Sequence, residues 1–573
     1  MIEGVLSMEI LVIGNGLAGL SAAIEGAKRG AKVTLVSQNT ADRSQSVMAE
    51  GGINAALNTK GEEDSTTLHG EETFAAACGL VSECAVKNMT MAAPSIINYL
   101  SQIGVVFARD AQGNADVRAF GGQSKKRTVY SKAGIGRQLV TTMAQEVRKY
   151  AAQGNIILKE YHRFVELILK PAEGQAEYTR EKQILEDTKN LCIGAIIQDI
   201  HTGKFEALIS DSVIMATGGL NVLFGETTGS YLSNGIATAT AFKQGAKLAN
   251  LEMIQYHPTT MVRGEKRILI SEAARGEGGR LFVYKKHETS SQGDEQAGMS
   301  EKWYFMEEMY PERGNLMPRD IVSQTIDKVS KEYGQVYLDL THISPQVLEI
   351  NLKEVCDTCR TFFNIEPSKE YIPVSPGVHY FMGGFYVDEG HRCSVRNLYA
   401  VGECASQYHG ANRLGGNSTL GAIYGGIKAV ESVFLDNTRQ GLDNEEVHHI
   451  YEKNKYANSY LKEYNLKVDL MMTQDDERML QSILKKSMGI TRDEEVLQAG
   501  LDALRNLNIT ETKGIGVLAE AMILSAIERK ESRGAHQRSD YSNRDDENFL
   551  KVMVASCDDM GNVRIEAKDI NYI

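Results

Sequence analysis

The stretch EILVIGNGLAGLSAAIEGAKRGAKVTLV at residues 9–36 decides the fold of this chain. The mostly apolar run Glu9 to Ile13 predicts a strand, the alanine-rich run Leu20 to Arg29 predicts a helix, and Lys32 to Val36 predicts a second strand. Between the first strand and the helix lies Gly14-Asn-Gly-Leu-Ala-Gly19, which has the GxGxxG spacing. Glycines at that place let the main chain approach a pyrophosphate at a helix N-terminus. The stretch therefore predicts a βαβ unit that binds a dinucleotide.

The residues after the second strand narrow this prediction. Many NAD-binding folds have an acidic residue there for the ribose hydroxyls, whereas this chain has Ser37-Gln38, which argues against a simple NAD site. Two later stretches, 211–219 and 397–404, are short apolar strands that end in small residues. We expect both in the same sheet, so that distant segments assemble one cofactor domain.

We predict an α/β fold with three structural units and a tail. A discontinuous Rossmann-like cofactor domain comprises residues 1–244 and 361–434, and an inserted α+β capping domain comprises residues 245–360. A helical domain at 435–545 and a tail at 546–573 follow. The polar stretch His287 to Glu312 is interpreted as a mobile lid or a solvated surface. The candidate C-terminal helices are Glu445 to Leu461, Thr473 to Met488, Asp493 to Leu507 and Val517 to Lys530.

The composition excludes several classes of protein. With 573 residues, 42% hydrophobic and 24% charged, the chain is neither disordered nor fibrous. Its formal net charge of -13 disfavours nucleic acid as a partner. No apolar run reaches the roughly 18 residues that a transmembrane helix requires, and no signal peptide is evident, so we expect a cytoplasmic protein. The only CxxC, Cys356 to Cys359, has no second pair of ligands, so no metal site is predicted.

Histidine and arginine recur in segments that are rich in small residues. Arginine forks and imidazoles beside glycines are suited to binding carboxylates, because the main chain can also come close. Together these segments predict a site for a small dianion. They are 255–260, 271–279, 317–320, 378–384 and 409–418.

The same segments, with Glu531-Ser-Arg-Gly-Ala-His-Gln-Arg538 and Asn543-Arg-Asp-Asp-Glu-Asn-Phe549, resemble the flavoprotein subunit of the fumarate reductase and succinate dehydrogenase family. The resemblance covers nearly the whole chain. It implies that the cofactor is FAD and that the chain is an FAD-dependent oxidoreductase acting on CH–CH bonds. The L-aspartate oxidases are the nearest cousins of this family.

The resemblance implies where FAD binds. In respiratory members a histidine carries the flavin covalently, in a context similar to residues 43–52, and here that position is Gln45. A glutamine amide cannot form this linkage, so we predict non-covalent FAD, with a lower flavin potential that favours reduction of a double bond. Asn234 replaces an acid that is usual in the family. The implied cofactor-binding residues are Gly14, Gly16, Leu17, Ala18, Gly19, Ser37, Ser44, Gln45, Ser46, Gly51, Gly52, Asn234, Glu403, Ser418 and Leu420.

The resemblance also implies a reaction, the reduction of fumarate to succinate. Arg319 would donate the proton while FAD supplies the hydride, and Glu272 and Arg275 would relay protons from solvent. A structural ion pair of Arg319 with Asp320 is the alternative. Ser271 stands where threonine is common and keeps the hydroxyl. The residues implied to bind the two carboxylates, and to twist one of them out of conjugation, are His257, Ser271, His379 and Arg413.

Phe120 distinguishes the chain from the L-aspartate oxidases. Aspartate oxidases carry a glutamate in the stretch similar to residues 117–122, where it would meet the substrate ammonium, whereas a phenyl ring suits an unsubstituted C4 dicarboxylate. Three alternatives stay open: an L-aspartate oxidase or dehydrogenase, a reductase of another α,β-unsaturated acid, and a non-catalytic FAD-binding subunit.

The electrons must come from outside this chain, because it has neither iron–sulfur ligands nor a haem site. The resemblance implies an iron–sulfur subunit as the donor, and a soluble donor is the competing arrangement. Docking at the inner face of the membrane would then depend on partner subunits. The sequence leaves open the physiological donor, the direction of the reaction in the cell and the oligomeric state.

Overall fold

The computed structural model describes residues 8–132, 134–171, 190–285, 301–439, 473–507 and 514–570. The α-helices in this part of the chain are α1 Leu17–Lys28, α2 Thr66–Ala76, α3 Glu83–Gln102, α4 Ile135–Ala152, α5 Ile236–Lys243, α6 Ala273–Gly276, α7 Phe305–Met309, α8 Arg319–Tyr333, α9 Pro345–Ile350, α10 Lys353–Phe363, α11 Asn417–Arg439, α12 Gln474–Ser487, α13 Glu494–Arg505, α14 Gly514–Glu528 and α15 Asp546–Phe549.

The strands form several sheets. In chain order they are β1 Glu9–Ile13, β2 Lys32–Val36, β3 Ile53–Asn54, β4 Val117–Arg118, β5 Thr128–Val129, β6 Ile156–Lys159, β7 His162–Pro171, β8 Asn190–Asp199, β9 Phe205–Ile209, β10 Ser212–Met215, β11 Leu248–Ala249, β12 Ile254–Arg263, β13 Lys266–Leu269, β14 Arg280–Lys285, β15 Glu301–Trp303, β16 Val336–Asp339, β17 Ile372–Phe381, β18 Gly384–Tyr386, β19 Leu398–Ala400, β20 Ala405–Ser406, β21 Thr491–Arg492, β22 Gln537–Arg538, β23 Lys551–Cys557 and β24 Val563–Asp569.

The opening βαβ unit lies at the centre of a parallel five-stranded sheet. The strand order is β19-β10-β1-β2-β6, and each neighbouring pair is parallel. The two later stretches that we predicted for this sheet are β10 and β19, so the assembly of one sheet from distant segments is confirmed. Four of the five residues of β1 are buried, as expected for a parallel strand covered on both faces. Helix α1 packs between α4 and α11.

A second sheet carries the residues of the predicted insertion. It has six strands in the order β13-β12-β17-β16-β14-β15, and its pairs are antiparallel. Strand β17 lies beyond residue 360 in the chain. Its main chain nevertheless pairs with β12 on one side and with β16 on the other. This sheet therefore extends past the predicted boundary at 360, while the domain limits stay predictions. Residues 301–312 of the predicted lid form β15 and α7, and residues 287–300 lie outside the described part.

The C-terminal region is helical where the pattern predicted helices. Three of the four candidates correspond to α12, α13 and α14, and Glu445 to Leu461 lies outside the described residues. Helix α12 begins with a capping box, in which Thr473 and Asp476 satisfy each other's main-chain N–H groups. The predicted tail contributes to a sheet, because β23 pairs with β11 in the strand order β20-β18-β11-β23-β24. Among the described helices, none has the length and apolar character to cross a membrane.

Candidate active site

One cavity lies where three parallel strands of the first sheet end. Gly14 follows β1, Ala216 and Thr217 follow β10, and Gly402 and Glu403 lie just after β19, and all five line this cavity. Since parallel strands end at the same edge, the sheet itself brings these segments together.

Most of the predicted site residues line this same cavity. Of the predicted cofactor residues, the lining includes Gly14, Gly16, Leu17, Ala18, Ser37, Ser44, Gln45, Ser46, Gly51, Gly52, Asn234, Glu403 and Ser418. Of the predicted substrate and catalytic residues, it includes Phe120, His257, Ser271, Glu272, Arg319, His379 and Arg413. The fold therefore joins the two predicted sites into one continuous space.

Three predicted residues do not line the cavity. Leu420 is fully buried in the core that also contains residues of α1 and α4, so its side chain packs rather than faces a ligand. Gly19 lies against the main chain of Gly14. Arg275 is buried behind Glu272, and its Nη1 donates a hydrogen bond to the main-chain oxygen of Asn315 at 2.5 Å.

The glycine loop has no room for a side chain at Gly14 or Gly19. A Cβ atom at Gly19 would lie 1.8 Å from the oxygen of Gly14, and one at Gly14 would lie 2.2 Å from the oxygen of Ala216. Gly14 also has a φ of +112°, which favours glycine. This close approach of α1 to the strand ends exposes the helix N-terminus to the cavity, as a dinucleotide pyrophosphate requires.

Residues 44–48 close over the start of α1. The Ser46 hydroxyl accepts a hydrogen bond from the N–H of Leu17 at 3.1 Å, and the side-chain oxygen of Gln45 accepts one from the N–H of Ser230. Buried Ser44 Oγ has no hydrogen-bond partner within the described residues. Such an unpaired polar atom in the cavity fits a polar cofactor such as FAD, because buried hydroxyls are normally hydrogen-bonded.

Two histidines face each other in the cavity. The ring centroids of His257 on β12 and His379 on β17 are 5.0 Å apart. Burial, together with the positive charge of Arg319, holds the pKa of both rings well below the usual value, so both are neutral near pH 7. Buried Nε2 of His257 has no partner among the described residues. Nδ1 of His379 lies 2.7 Å from the hydroxyl of Thr228.

Arg413 brings a positive charge to the same cavity. Its Nη1 donates to the Ser418 hydroxyl at 2.8 Å, its guanidinium carbon lies 4.2 Å from the centre of the Tyr380 ring, and its Nε is unpaired within the described chain. Burial and nearby Arg319 lower its pKa to about 9. A bound anion would counteract both effects, because its negative charge favours the charged form of the guanidinium.

A buried cluster of charges holds Arg319 at the N-terminus of α8. Its Nε donates to Oε2 of Glu272 at 2.7 Å, and Oε1 of Glu272 accepts from the N–H of Gly121 at 2.9 Å and lies 3.3 Å from Nη2 of Arg275. Burial alone would raise the pKa of Glu272, but the two guanidinium groups and these hydrogen bonds hold it below its usual value. Glu272 is therefore a carboxylate shared by two arginines.

The structure adds residues that the sequence analysis missed. The amide of Gln255 accepts from Nη1 of Arg319 at 3.2 Å and donates to the oxygen of Arg413 at 2.8 Å and to Oδ1 of Asn412 at 2.9 Å. Asn412 in turn donates to Asp320 at 2.9 Å. Their only sequence signal is that they stand beside His257 and Arg413 in otherwise apolar or small-residue segments.

Glu50 and Phe120 complete the lining near the Gly51 turn. Burial, together with the negative charge of Glu354, raises the pKa of Glu50 to about 8. Phe120 is 1% exposed, and a Cβ atom at Gly51 would lie only 2.8 Å from its ring. At Phe120 the cavity wall is therefore hydrophobic, and the Glu50 carboxyl beside it is largely protonated near pH 7.

Known proteins resemble this chain along its length. The family described as FAD binding domain matches residues 9–419, and the fumarate reductase flavoprotein C-terminal family matches residues 507–573. The chain is 35% identical to the succinate dehydrogenase flavoprotein subunit of Bacillus subtilis, over 95% of this chain and 93% of that protein. It is 31% identical to the 8-methylmenaquinol:fumarate reductase flavoprotein subunit of Wolinella succinogenes, over 99% of this chain and 91% of that protein.

A solved structure of a fumarate reductase also resembles this chain over nearly its whole length. The FrdA chain of a variant Escherichia coli quinol fumarate reductase superposes with a TM-score of 0.82 at 27% identity, covering 99% of this chain and 97% of that one. The resemblance inferred from the sequence motifs is thus confirmed. The chain belongs to the family of succinate dehydrogenase and fumarate reductase flavoprotein subunits and is an FAD-binding oxidoreductase.

Proposed function

We propose that this chain reduces fumarate to succinate, with Arg319 as the proton donor. The observation that carries the proposal is the position of Arg319, which lines the cavity while its guanidinium is bound to the buried carboxylate of Glu272. The alternative of a structural ion pair with Asp320 has less support, because the Arg319 side chain is hydrogen-bonded to Glu272 and Gln255.

The substrate would be held by neutral and charged donors. His257 and His379 are neutral, so each can offer one ring N–H to a carboxylate without competing for its charge. Arg413 adds a positive charge, and Ser271, which is 4% exposed, adds a hydroxyl. This donor set fits the two carboxylates of a C4 dicarboxylate. Phe120 favours an unsubstituted one, since it offers no partner to an ammonium group.

FAD, when bound and reduced, supplies the hydride of this reaction. The chain must then supply one proton to the neighbouring carbon. An arginine has a high intrinsic pKa and is a weak acid, so after it gives its proton to the substrate carbon it must regain one quickly, from a neighbouring carboxyl group that has itself taken up a proton from solvent. Glu272 is in contact with Arg319 and with Arg275, and the three groups form a buried path along which a proton can be replaced.

We propose that FAD is bound without a covalent link. The side-chain oxygen of Gln45 is engaged by the N–H of Ser230, and an amide nitrogen is a poor nucleophile. The groups proposed to hold FAD are the glycine loop, Ser44, Ser46, Gly51, Gly52, Asn234, Glu403 and Ser418. Burial raises the pKa of Glu403 to about 7, so this carboxyl can be protonated and donate a hydrogen bond near neutral pH.

The electron donor is proposed to be another protein. The similar proteins of Bacillus subtilis and Wolinella succinogenes are both named as subunits, and an iron–sulfur subunit is the partner that we propose by analogy. A soluble donor is the alternative. The two alternatives are distinguished by adding each class of donor to the purified chain and comparing the rates of flavin reduction in the presence of fumarate. The donor that reduces the flavin faster is the better candidate.

The test of the proposed function is anaerobic. The purified holoprotein is acid-denatured to measure flavin release, and separately its flavin is reduced chemically and reoxidised with fumarate. Release of FAD together with rapid reoxidation by fumarate, and no flavin reduction by L-aspartate, is the expected result. Reduction of oxidised flavin by L-aspartate would assign the aspartate activity instead. Faster turnover with succinate and an artificial acceptor than with fumarate would reverse the proposed direction.

A further inference from the structure

We propose that Thr228 fixes the tautomer of His379, so that this ring keeps its hydrogen on Nε2 and donates it to a substrate carboxylate. The inference rests on the proposed function, because it assigns a carboxylate to His379. Thr228 is a positioning residue in this proposal, since it acts through the imidazole.

The contact between the two side chains is short. The hydroxyl of Thr228 lies 2.7 Å from Nδ1 of His379. A neutral imidazole has one nitrogen that donates and one that accepts. If the hydroxyl donates to Nδ1, the ring hydrogen is on Nε2. If the ring donates from Nδ1, Nε2 has only a lone pair and would repel a carboxylate.

The surroundings of the hydroxyl favour donation to the ring. Thr228 is only 4% exposed, and Nδ1 of His379 is its sole hydroxyl partner within the described residues. If the ring donated instead, the hydroxyl hydrogen would have no acceptor in a buried place, which costs about 1–3 kcal/mol. The imidazole of His379 does not carry hydrogens on both nitrogens, because burial and the charges of Arg319 and Arg413 lower its pKa and keep it neutral.

The main chain around Thr228 is fixed from three directions. The N–H of Thr228 donates to the oxygen of Val378 at 3.1 Å, and the N–H of Arg267 on β13 donates to the oxygen of Thr227 at 3.1 Å. Two residues further, the N–H of Ser230 donates to Gln45. The hydroxyl is thus presented to His379 by a loop that is anchored to strands β17 and β13 of the six-stranded sheet and to Gln45, so it needs no reordering when substrate binds.

His257 is a contrasting case in the same cavity. Its Nδ1 lies 3.2 Å from the oxygen, 3.3 Å from the nitrogen and 3.4 Å from the hydroxyl of Thr259. That hydroxyl donates to the oxygen of Ile270 at 2.8 Å, so it has no hydrogen left for the ring. Within the described residues no hydroxyl fixes the tautomer of His257. The main-chain N–H and the main-chain oxygen of Thr259 both approach its Nδ1 and favour opposite tautomers, so this ring is an internal reference for the experiment.

The first experiment measures the tautomer directly. Holoprotein with ¹⁵N-labelled histidine is studied by long-range ¹H–¹⁵N NMR at pH 7.5, and the His379 signals are assigned from their absence in His379→Gln. We expect the Nε2–H pattern for His379 in the wild-type protein. An Nδ1–H pattern would overturn the proposal, and this measurement does not depend on the folding of any Thr228 variant.

The second experiment uses a matched pair of variants. Thr228→Val keeps the shape and removes the hydroxyl, and Thr228→Ser keeps the hydroxyl. In Thr228→Val we expect averaged His379 shifts, unchanged His257 shifts and a KM for fumarate raised about tenfold with a smaller change in kcat, while Thr228→Ser resembles the wild type. Unchanged shifts and unchanged KM in Thr228→Val would contradict the proposal. If fumarate is not turned over while the shifts change as expected, the tautomer assignment stands and the proposed substrate fails.

Discussion

Nη2 of Arg319 lies 2.6 Å from Oε2 of Glu272, and both side chains are almost completely shielded from solvent. The same carboxylate lies 3.3 Å from Nη2 of Arg275, so two guanidinium groups share one negative charge. The cluster therefore has an excess of positive charge in a buried place. A dicarboxylate that entered the cavity would add negative charge beside this cluster, which is consistent with the proposed binding of a C4 dicarboxylate.

The guanidinium of Arg319 is the group on which the proposed proton transfer depends. Arg319→Gln keeps a hydrogen-bonding side chain and removes the acid. We expect kcat for fumarate reduction to fall by about 10²- to 10⁴-fold while FAD stays bound. Arg313→Gln is the matched control, because Arg313 is exposed just before α8 and should keep full activity. Steady-state kinetics with an artificial donor checks this, and more than a tenth of the wild-type kcat in Arg319→Gln would contradict the role.

The glycine loop provides a test of cofactor binding that is separate from catalysis. In Gly19→Ala the new methyl group would lie 1.8 Å from the oxygen of Gly14, so the turn cannot keep its shape. We expect the purified variant to contain little FAD, measured as the ratio of absorbance at 450 and 280 nm. Gly489→Ala is the control, because a Cβ atom there meets only ordinary contacts beyond 3.8 Å. Wild-type flavin content in Gly19→Ala would mean that the loop does not bind the cofactor.

Buried histidines predict how stability depends on pH. Burial lowers the pKa of His69 and His391 to about 4, and burial together with Arg413 lowers that of His409 to about 3, compared with about 6.5 in the unfolded chain. Because the folded pKa values are lower, the unfolded state binds these protons first as the pH falls. The stabilisation is complete above pH 6.5 and is lost progressively as the pH falls to about 4 for His69 and His391 and to about 3 for His409.

This loss should be steep enough to measure by denaturant unfolding. Each histidine contributes up to about 1.36 kcal/mol per pH unit in that window, so the three contribute up to about 4 kcal/mol per pH unit. His391→Gln should lower the slope by about one third. A free energy of unfolding that stays constant from pH 6.5 to 5 would show that these rings do not remain neutral in the folded protein.

A buried ion network near the C-terminus is expected to determine stability rather than catalysis. Arg529 pairs with Glu252 at 2.7 Å and with Glu531 at 2.8 Å, and all three side chains are fully buried. Arg529→Met leaves Glu252 without its charge partner, and we expect a loss of about 3–5 kcal/mol in the free energy of unfolding. Arg360→Met, which breaks the half-exposed pair with Glu366, should change it by less than about 1 kcal/mol. Similar losses in the two variants would contradict this difference.

Local sequence was sufficient for the parts of the fold that depend on neighbouring residues. The βαβ unit follows from one strand, one glycine loop and one helix, and only glycine fits the contact between Gly14 and Gly19. The C-terminal helices follow from apolar periodicity and from caps such as Thr473. The motifs containing His257, Arg319 and Arg413 were recognisable in the sequence because each stands in a distinctive short segment.

The partners of these residues were decided only by the tertiary structure. Thr228 is hydrogen-bonded to His379, which is 151 residues away in the sequence, and Gln255 is hydrogen-bonded to Arg413, which is 158 residues away. No local sequence pattern predicts either contact. The main chain of β17 pairs with β12 and β16 in the six-stranded sheet, and the side chain of Leu420 on α11 packs in the core. A sequence motif specifies which chemical groups a chain carries. Which hydrogen bonds orient them depends on strand register and helix packing, and these form only when distant segments fold together.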